Sequence, residues 1–196
     1  HTKSNETLLK EIPSIPFHDL SIVFYLFLDK DEHGQMTVLI RNDHLPIWNT
    51  DTSELYKLAI DNTPRLYPPC IRSMASLIND MLFVNGTLIQ PSFAAASPNA
   101  LDLTDSPIPL SILTNTSGIF GASAMLYPGV LKEFSKKIGH DLIILPSSVH
   151  EVLLLPYDST YSFQEMADMV KDVNEKCVPV EEQLSNQVYY YSSTQD

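Results

Sequence analysis

Thiols are scarce in this chain. Its 196 residues hold two cysteines, Cys70 and Cys177, and neither lies in a CxxC motif or beside another metal-ligating residue. That excludes a disulfide framework and leaves reduced thiols of a cytoplasmic protein as the expectation. Basic side chains are scarce too: 12 Lys and Arg stand against 24 Asp and Glu, a net charge of −12. Residues 1–85 carry a net −4 and residues 86–196 a net −8. Nucleic-acid binding draws on Lys and Arg contacts to phosphates, so no nucleic-acid partner is expected. The one local basic cluster, Lys132, Lys136 and Lys137, reads as the solvated face of a helix. Long apolar runs are missing as well. The longest, Ile22 to Leu28, has seven residues, against the roughly 20 a membrane helix needs. With no signal-peptide pattern at the start, no membrane association is expected. The chain opens His1-Thr-Lys-Ser without a methionine, which suggests the C-terminal part of a longer protein.

What is present is ordinary globular composition, 44% hydrophobic and 18% charged, enough in a chain of this length for a real core. The expectation is one α+β domain over 1–196, a mixed and largely antiparallel sheet with helices packed on it. Residues 4–11 predict a short helix capped by Ser4 or Asn5 and stopped by Pro13 and Pro16. Residues 20–28 (LSIVFYLFL) predict a strand buried on both faces, paired in antiparallel fashion with 36–41 across a polar loop. Asp51 and Glu54 form an approximate capping box for a helix over 52–61, ended by Asn62-Thr-Pro. A further helix is expected at 71–79. Residues 85–108, with Gly86, Pro91, Pro98 and Pro107, predict a mobile connection. Leu110 to Asn115, 142–145, 151–155 and 188–191 predict strands. Val130, Leu131, Phe134 and Ile138 mark a helix capped by Gly139, and Ser162 with Glu165 caps another over 162–175.

Several segments approach known motifs and fall short. Asp29-Lys-Asp-Glu-His-Gly34 resembles the opening of a calcium loop, but His33 and Ile40 occupy positions where oxygen ligands are needed; a polar hairpin loop accounts for it. Gly118-Ile-Phe-Gly121 lacks the Lys-Ser/Thr of a P-loop and the third glycine of a dinucleotide fingerprint, and backbone freedom accounts for the pair. His150-Glu151 opens like a zinc-protease helix, yet position 154 is Leu. The remaining histidines show no ligand spacing, so no metal and no cofactor is expected.

The densest polar cluster between apolar strands is Pro146-Ser147-Ser148-Val-His150-Glu151. A serine nucleophile needs an imidazole within hydrogen-bond reach and a carboxylate to orient it. Ser148, His150 and Glu151 supply those types, and they are the candidate catalytic residues. Asn115 and Ser147 are candidate ligand-binding residues. No GxSxG elbow is present, and side chains alternate along a hairpin, so Glu151 can point away from His150. The competing reading has the serines capping a turn and His150 packed or solvated.

Asn62 to Pro69, Leu113 to Ala122, Leu184 to Tyr191 and above all Ile144-Leu-Pro-Ser-Ser-Val-His-Glu-Val-Leu153 resemble an uncharacterised family of clostridial gut bacteria. A looser similarity runs to YtpQ-like proteins. The resemblance covers residues 8 to 191 and implies a bacterial origin, but it brings no catalytic residues. The sequence therefore names no reaction. Its leading reading is a non-catalytic cytoplasmic module that binds a protein or small-molecule partner. The alternative is a hydrolase or transferase using a Ser148/His150 site. A third is a structural part of a larger protein whose activity lies elsewhere.

Overall fold

A computed structural model describes residues 5–31, 34–74, 76, 110–146 and 148–194. The connection expected at 85–108 lies outside the described residues, as does Ser147. The fold is α+β with antiparallel sheets, and the chain divides into two compact units, His1–Thr63 and Pro64–Asp196.

The first unit holds α1 (Glu6–Leu9), two hairpins and two further helices. Strands β1 (Ser14–Phe17) and β2 (Leu20–Val23) form the first hairpin. Its two-residue turn, His18-Asp19, has His18 at φ 52°, as tight hairpin turns require. Pro16 is tolerated in β1 because a two-stranded ribbon consists of edges. Strands β3 (Tyr25–Asp31) and β4 (Gly34–Leu39) form the second hairpin, with a bulge between Phe27 and Asp29.

The single strand expected over 20–28 is therefore corrected. The chain breaks at Phe24, and the two halves pair with different partners. Phe24 is 4% exposed and packs with Ile40 and Leu55, while its carbonyl accepts the Ile40 N–H at 2.9 Å. A ribbon of two strands cannot cover both faces, so Leu26 and Leu28 are 42% and 49% exposed. The apolar run is continuous in sequence but only its pivot is core. Helix α2 spans His44–Trp48 and α3 spans Thr52–Leu66. Asp51 Oδ1 accepts the Glu54 N–H at 2.9 Å, the cap expected from the sequence. Helix α3 runs past the expected stop because Pro64 falls in its last turn, where its missing N–H removes one bond near an end that frays anyway.

The second unit is a five-stranded sheet. Its strands are β5 (Pro69–Ser73), β6 (Ser111–Asn115), β7 (Leu142–Leu145), β8 (Val152–Pro156) and β9 (Tyr189–Tyr191). Their order is β5-β6-β8-β7-β9, and all neighbours are antiparallel. The helix expected at 71–79 is a strand over its first three residues, because Cys70 to Ser73 pair with Thr114 to Ser111; pairing with a buried strand overrides local helical preference. Residues 77–79 lie outside the described residues.

Between β6 and β7 come a 3-10 turn, Gly121–Leu126, and helix α4, Val130–Ile138. Between β8 and β9 comes helix α5, Phe163–Cys177. Gly139, at φ 74°, ends α4, and Ser162 Oγ accepts the Glu165 N–H at 3.3 Å to begin α5, both as the sequence predicts. Strands β6 and β7 are both antiparallel to the intervening β8, so they run parallel to each other. By the same logic β8 and β9 are parallel, with β7 between them. The sheet thus contains two interleaved crossovers that step in the same direction along antiparallel strands. Crossovers of one hand must then place their helices on opposite faces. That is the arrangement found. Leu142, Ile144, Val152 and Leu154 pack against α4 and the 3-10 turn, while Ile143, Leu145, Leu153 and Leu155 face α5. Strands buried on both faces read as unbroken apolar runs, which accounts for LIIL and VLLL. Cys70 is buried, Cys177 is exposed, and both are free thiols.

The corrected placement of 20–28 separates two substitutions. Phe24→Ala should cost about 3–5 kcal/mol, as for other buried aromatics, and Leu26→Ala less than about 1 kcal/mol. Denaturant unfolding followed through Trp48, the only tryptophan, checks this; equal losses at both positions would contradict the break at Phe24.

Candidate functional site

The link from β7 to β8 is the polar segment 146–151 singled out in the sequence. Antiparallel strands this apolar need a connection that satisfies its own backbone groups. Ser148 is buried, forms one antiparallel bridge with Gln183, and its Oγ accepts the His150 N–H at 3.0 Å. The same hydroxyl hydrogen-bonds the Glu151 carboxyl group. The Val149 N–H donates to the Glu182 carbonyl at 2.8 Å, and the Ser185 N–H to the Pro146 carbonyl at 2.9 Å. The segment is thereby fixed to the stretch 182–185.

On its other side the segment meets the end of β6 and the start of the 3-10 turn. Thr114 Oγ1 donates to the His150 carbonyl at 2.8 Å, and the Ala122 N–H to the Val149 carbonyl at 3.2 Å. Gly121 sits where a Cβ would collide with Thr114 Oγ1 and the His150 carbonyl oxygen. Its role is close approach. Gly118, at φ 69°, is the member of the pair that uses glycine's conformational freedom.

The His150 ring is stacked on Phe120, with centroids 6.1 Å apart and planes 15° apart. Its Nδ1 accepts the Phe120 N–H at 3.3 Å, and its Nε2 lies 3.8 Å from Glu182 Oε1. An Nδ1 that accepts leaves the neutral ring's proton on Nε2, facing Glu182. Ser148 and His150 thus meet through a main-chain N–H, with the imidazole directed to Phe120 and Glu182.

Asn115 is 2% exposed, and its amide is engaged within its own loop. Oδ1 accepts from the Ser117 and Gly118 N–H groups at 2.9 and 3.0 Å and from the Ser117 hydroxyl at 2.9 Å, while Nδ2 donates to the Ile119 carbonyl at 3.0 Å. This is an Asx turn that shapes the exit from β6. The structure thus gathers Ser148, His150 and Glu151, and holds Asn115 one residue from the Thr114 link to them. Ser147 lies outside the described residues. Thr114, Glu182 and Gln183 belong to the same cluster, as do Phe120 and Gly121 of the glycine pair, and no local sequence signal links them to it, because only the tertiary fold brings them there.

Burial pushes the Glu151 carboxyl above its ordinary range; the Ser148 hydrogen bond and His150 oppose that shift, and Glu182 adds to it. Among the described residues no group of three or more His, Cys, Asp or Glu is arranged to hold a metal ion. No helix among them is long and apolar enough to cross a membrane.

A carboxyl whose pKa is raised by folding contributes stability below its unfolded value, and that contribution is lost as pH rises through the folded value. Glu151→Gln removes the dependence. From about pH 4 upward, stability of Glu151→Gln relative to the unsubstituted chain should increase with pH and then level off. Urea titrations at several pH values measure it, and a difference that stays flat would contradict the burial of Glu151.

No curated protein and no solved structure matches the chain. The family of unknown function DUF5688 matches residues 1–193, so the chain belongs to that family.

Proposed function

We propose that this chain is a non-catalytic binding module of a bacterial cytoplasmic protein, taking a protein or small-molecule partner and no nucleic acid. The observation that carries the reading is the β3–β4 hairpin. Leu26 and Val38 are cross-strand partners, Met36 lies two residues before Val38, and Leu28 sits at the bulge. All four are exposed, Met36 to 61%. Clustered apolar side chains on a thin ribbon are a liability unless something covers them. The engagement of Ser148, His150 and Asn115 in backbone hydrogen bonds supports a structural role for the 146–151 turn. Free Cys70 and Cys177 are in keeping with a reducing compartment, and the 24 acids against 12 bases disfavour phosphate backbones. The clostridial resemblance and the looser likeness to YtpQ-like proteins belong to the same proposal.

One observation favours the alternative, a hydrolase or transferase using Ser148 with His150 and Glu151. The Glu151 carboxyl is raised and hydrogen-bonded to Ser148, and shifted groups cluster at active sites. The two readings separate cleanly. A fluorophosphonate probe labels activated serines; the proposal expects no labelling that Ser148→Ala abolishes. The proposal also expects that Met36→Lys with Val38→Lys leaves thermal unfolding unchanged and removes a partner that co-purifies with the unsubstituted protein. Ser148-dependent labelling, or retention of the partner by the double variant, would overturn it.

A further inference from the structure

Two kinds of bond join the 146–151 turn to the start of the 3-10 turn. The first kind is made by main-chain carbonyls. His150 O accepts a hydrogen bond from Thr114 Oγ1 at 2.8 Å, and Val149 O accepts the Ala122 N–H at 3.2 Å. Neither carbonyl titrates near neutral pH. The second kind is made by the imidazole, whose Nδ1 accepts the Phe120 N–H at 3.3 Å. An unperturbed imidazole changes charge between about pH 5 and 8. Once protonated it carries N–H donors on both nitrogens and accepts nothing. The Phe120 bond therefore exists only while the ring is neutral.

What that bond holds is a strained residue. Phe120 sits in the left-handed region, at φ 51° and ψ 29°, which a bulky side chain occupies only when its surroundings fix it there. Before it, Asn115 holds the chain by bonds to Ser117, Gly118 and Ile119. After it, Gly121 and Ala122 are seated on the 146–151 turn. Between these two fixed points the imidazole bears on Phe120 directly, through the Nδ1 bond and through the ring stack. Phe120 is 37% exposed, so it can swing outward without crossing the core.

Two carboxyl groups face the ring. Glu182, from the stretch 182–185, brings Oε1 to 3.8 Å from Nε2. Glu151, next in the turn, interacts with both His150 and Glu182. The end of β6 and the 3-10 turn bring Thr114 and Phe120, which carry no charge. On protonation the Nε2 side keeps its carboxylate, while the Nδ1 side turns two N–H groups toward each other. The ring then follows Glu182 and gives up Phe120. The carbonyl bonds to Thr114 and Ala122 are untouched, so the opening is confined to the loop ahead of Gly121. It requires neither the hairpin face nor a reactive Ser148.

We propose that His150 and Phe120 form a proton-operated latch: the neutral imidazole holds residues 118–120 closed on the 146–151 turn, and its protonation releases Phe120 while the sheet stays intact. The test is NMR of the whole chain across about pH 5 to 8, following the His150 ring nitrogens and the Phe120 and Ala122 amides. At the alkaline end the ring should carry its proton on Nε2. As pH falls, the Phe120 amide signal should move with the midpoint of the His150 ring. Its hydrogen exchange, corrected for the intrinsic pH dependence, should speed up about tenfold. The Ala122 amide and the far-ultraviolet circular dichroism should not change. His150→Leu removes the acceptor, so Phe120 should exchange fast at every pH with no transition. Glu151→Gln removes the neighbouring titration and should leave Phe120 coupled to His150. A Phe120 amide that stays protected through the His150 titration, one that follows a different midpoint, a neutral ring protonated on Nδ1, or Ala122 opening together with Phe120 would overturn the proposal.

Discussion

The second unit depends on one close approach, the seating of Gly121 against the His150 carbonyl and Thr114. The register of β6 with β8 runs from Ser111–Leu154 to Leu113–Val152. Beyond Leu113 the strand keeps its pairing with β5, but its side toward β8 has no strand partner. Instead Thr114 Oγ1 takes the His150 carbonyl at 2.8 Å, and the backbone at 121–122 comes down on the same turn. Three pieces of chain that the sequence keeps apart are thereby locked at one point: the end of β6, the start of the crossover to β7, and the β7–β8 connection. Only a residue without a side chain fits between them.

That point matters because the crossovers are interleaved. Each helix must leave its first strand, pass over the strand inserted from the other crossover, and return. Helix α4 covers one face, α5 the other, and the same β7 and β8 side chains serve both layers by strict alternation. A displaced turn at 146–151 would shift the β7–β8 pairing, and a one-residue shift would exchange the two apolar faces. The polar residues of the turn hold that register. Asn174, buried in α5, donates to the Ser185 carbonyl at 3.1 Å, and Gln183 Nε2 donates to the Asn174 carbonyl at 2.9 Å. The stretch beside the turn is therefore fastened to the opposite layer as well.

Local signals in the sequence carried the parts governed by local physics. The runs LIIL and VLLL, the Ser162 cap, the Gly139 stop and the Asp51 cap could be read directly, since each depends on residues within a turn of one another. Hydrophobicity alone does not tell a buried centre from a ribbon with one covered residue, so 20–28 reads as a single strand although Phe24 is core and Leu26 is not. Residues 71–73 carry a helical signal in the sequence because nothing local announces pairing with a strand some forty residues away. At the candidate site, Ser148, His150 and Glu151 stood out as polar residues between apolar strands. Thr114, Phe120 and Glu182 did not, because they reach His150 from 36, 30 and 32 positions away. The same distance hid the direction of the imidazole, which is set by Phe120 and Glu182.

Ser148 and His150 of this turn are engaged in hydrogen bonds that tie it to the end of β6, to Phe120 and to the stretch 182–185. The central claim is that the close approach at Gly121 holds the sheet unit together. Equilibrium unfolding of Gly121→Ala, followed by far-ultraviolet circular dichroism, tests it most directly. The added methyl group must displace backbone, so the account predicts a loss on the order of 1–3 kcal/mol, or failure to fold, while Gly139→Ala loses only what its left-handed backbone costs. An unfolding midpoint for Gly121→Ala equal to that of the unsubstituted chain would contradict it.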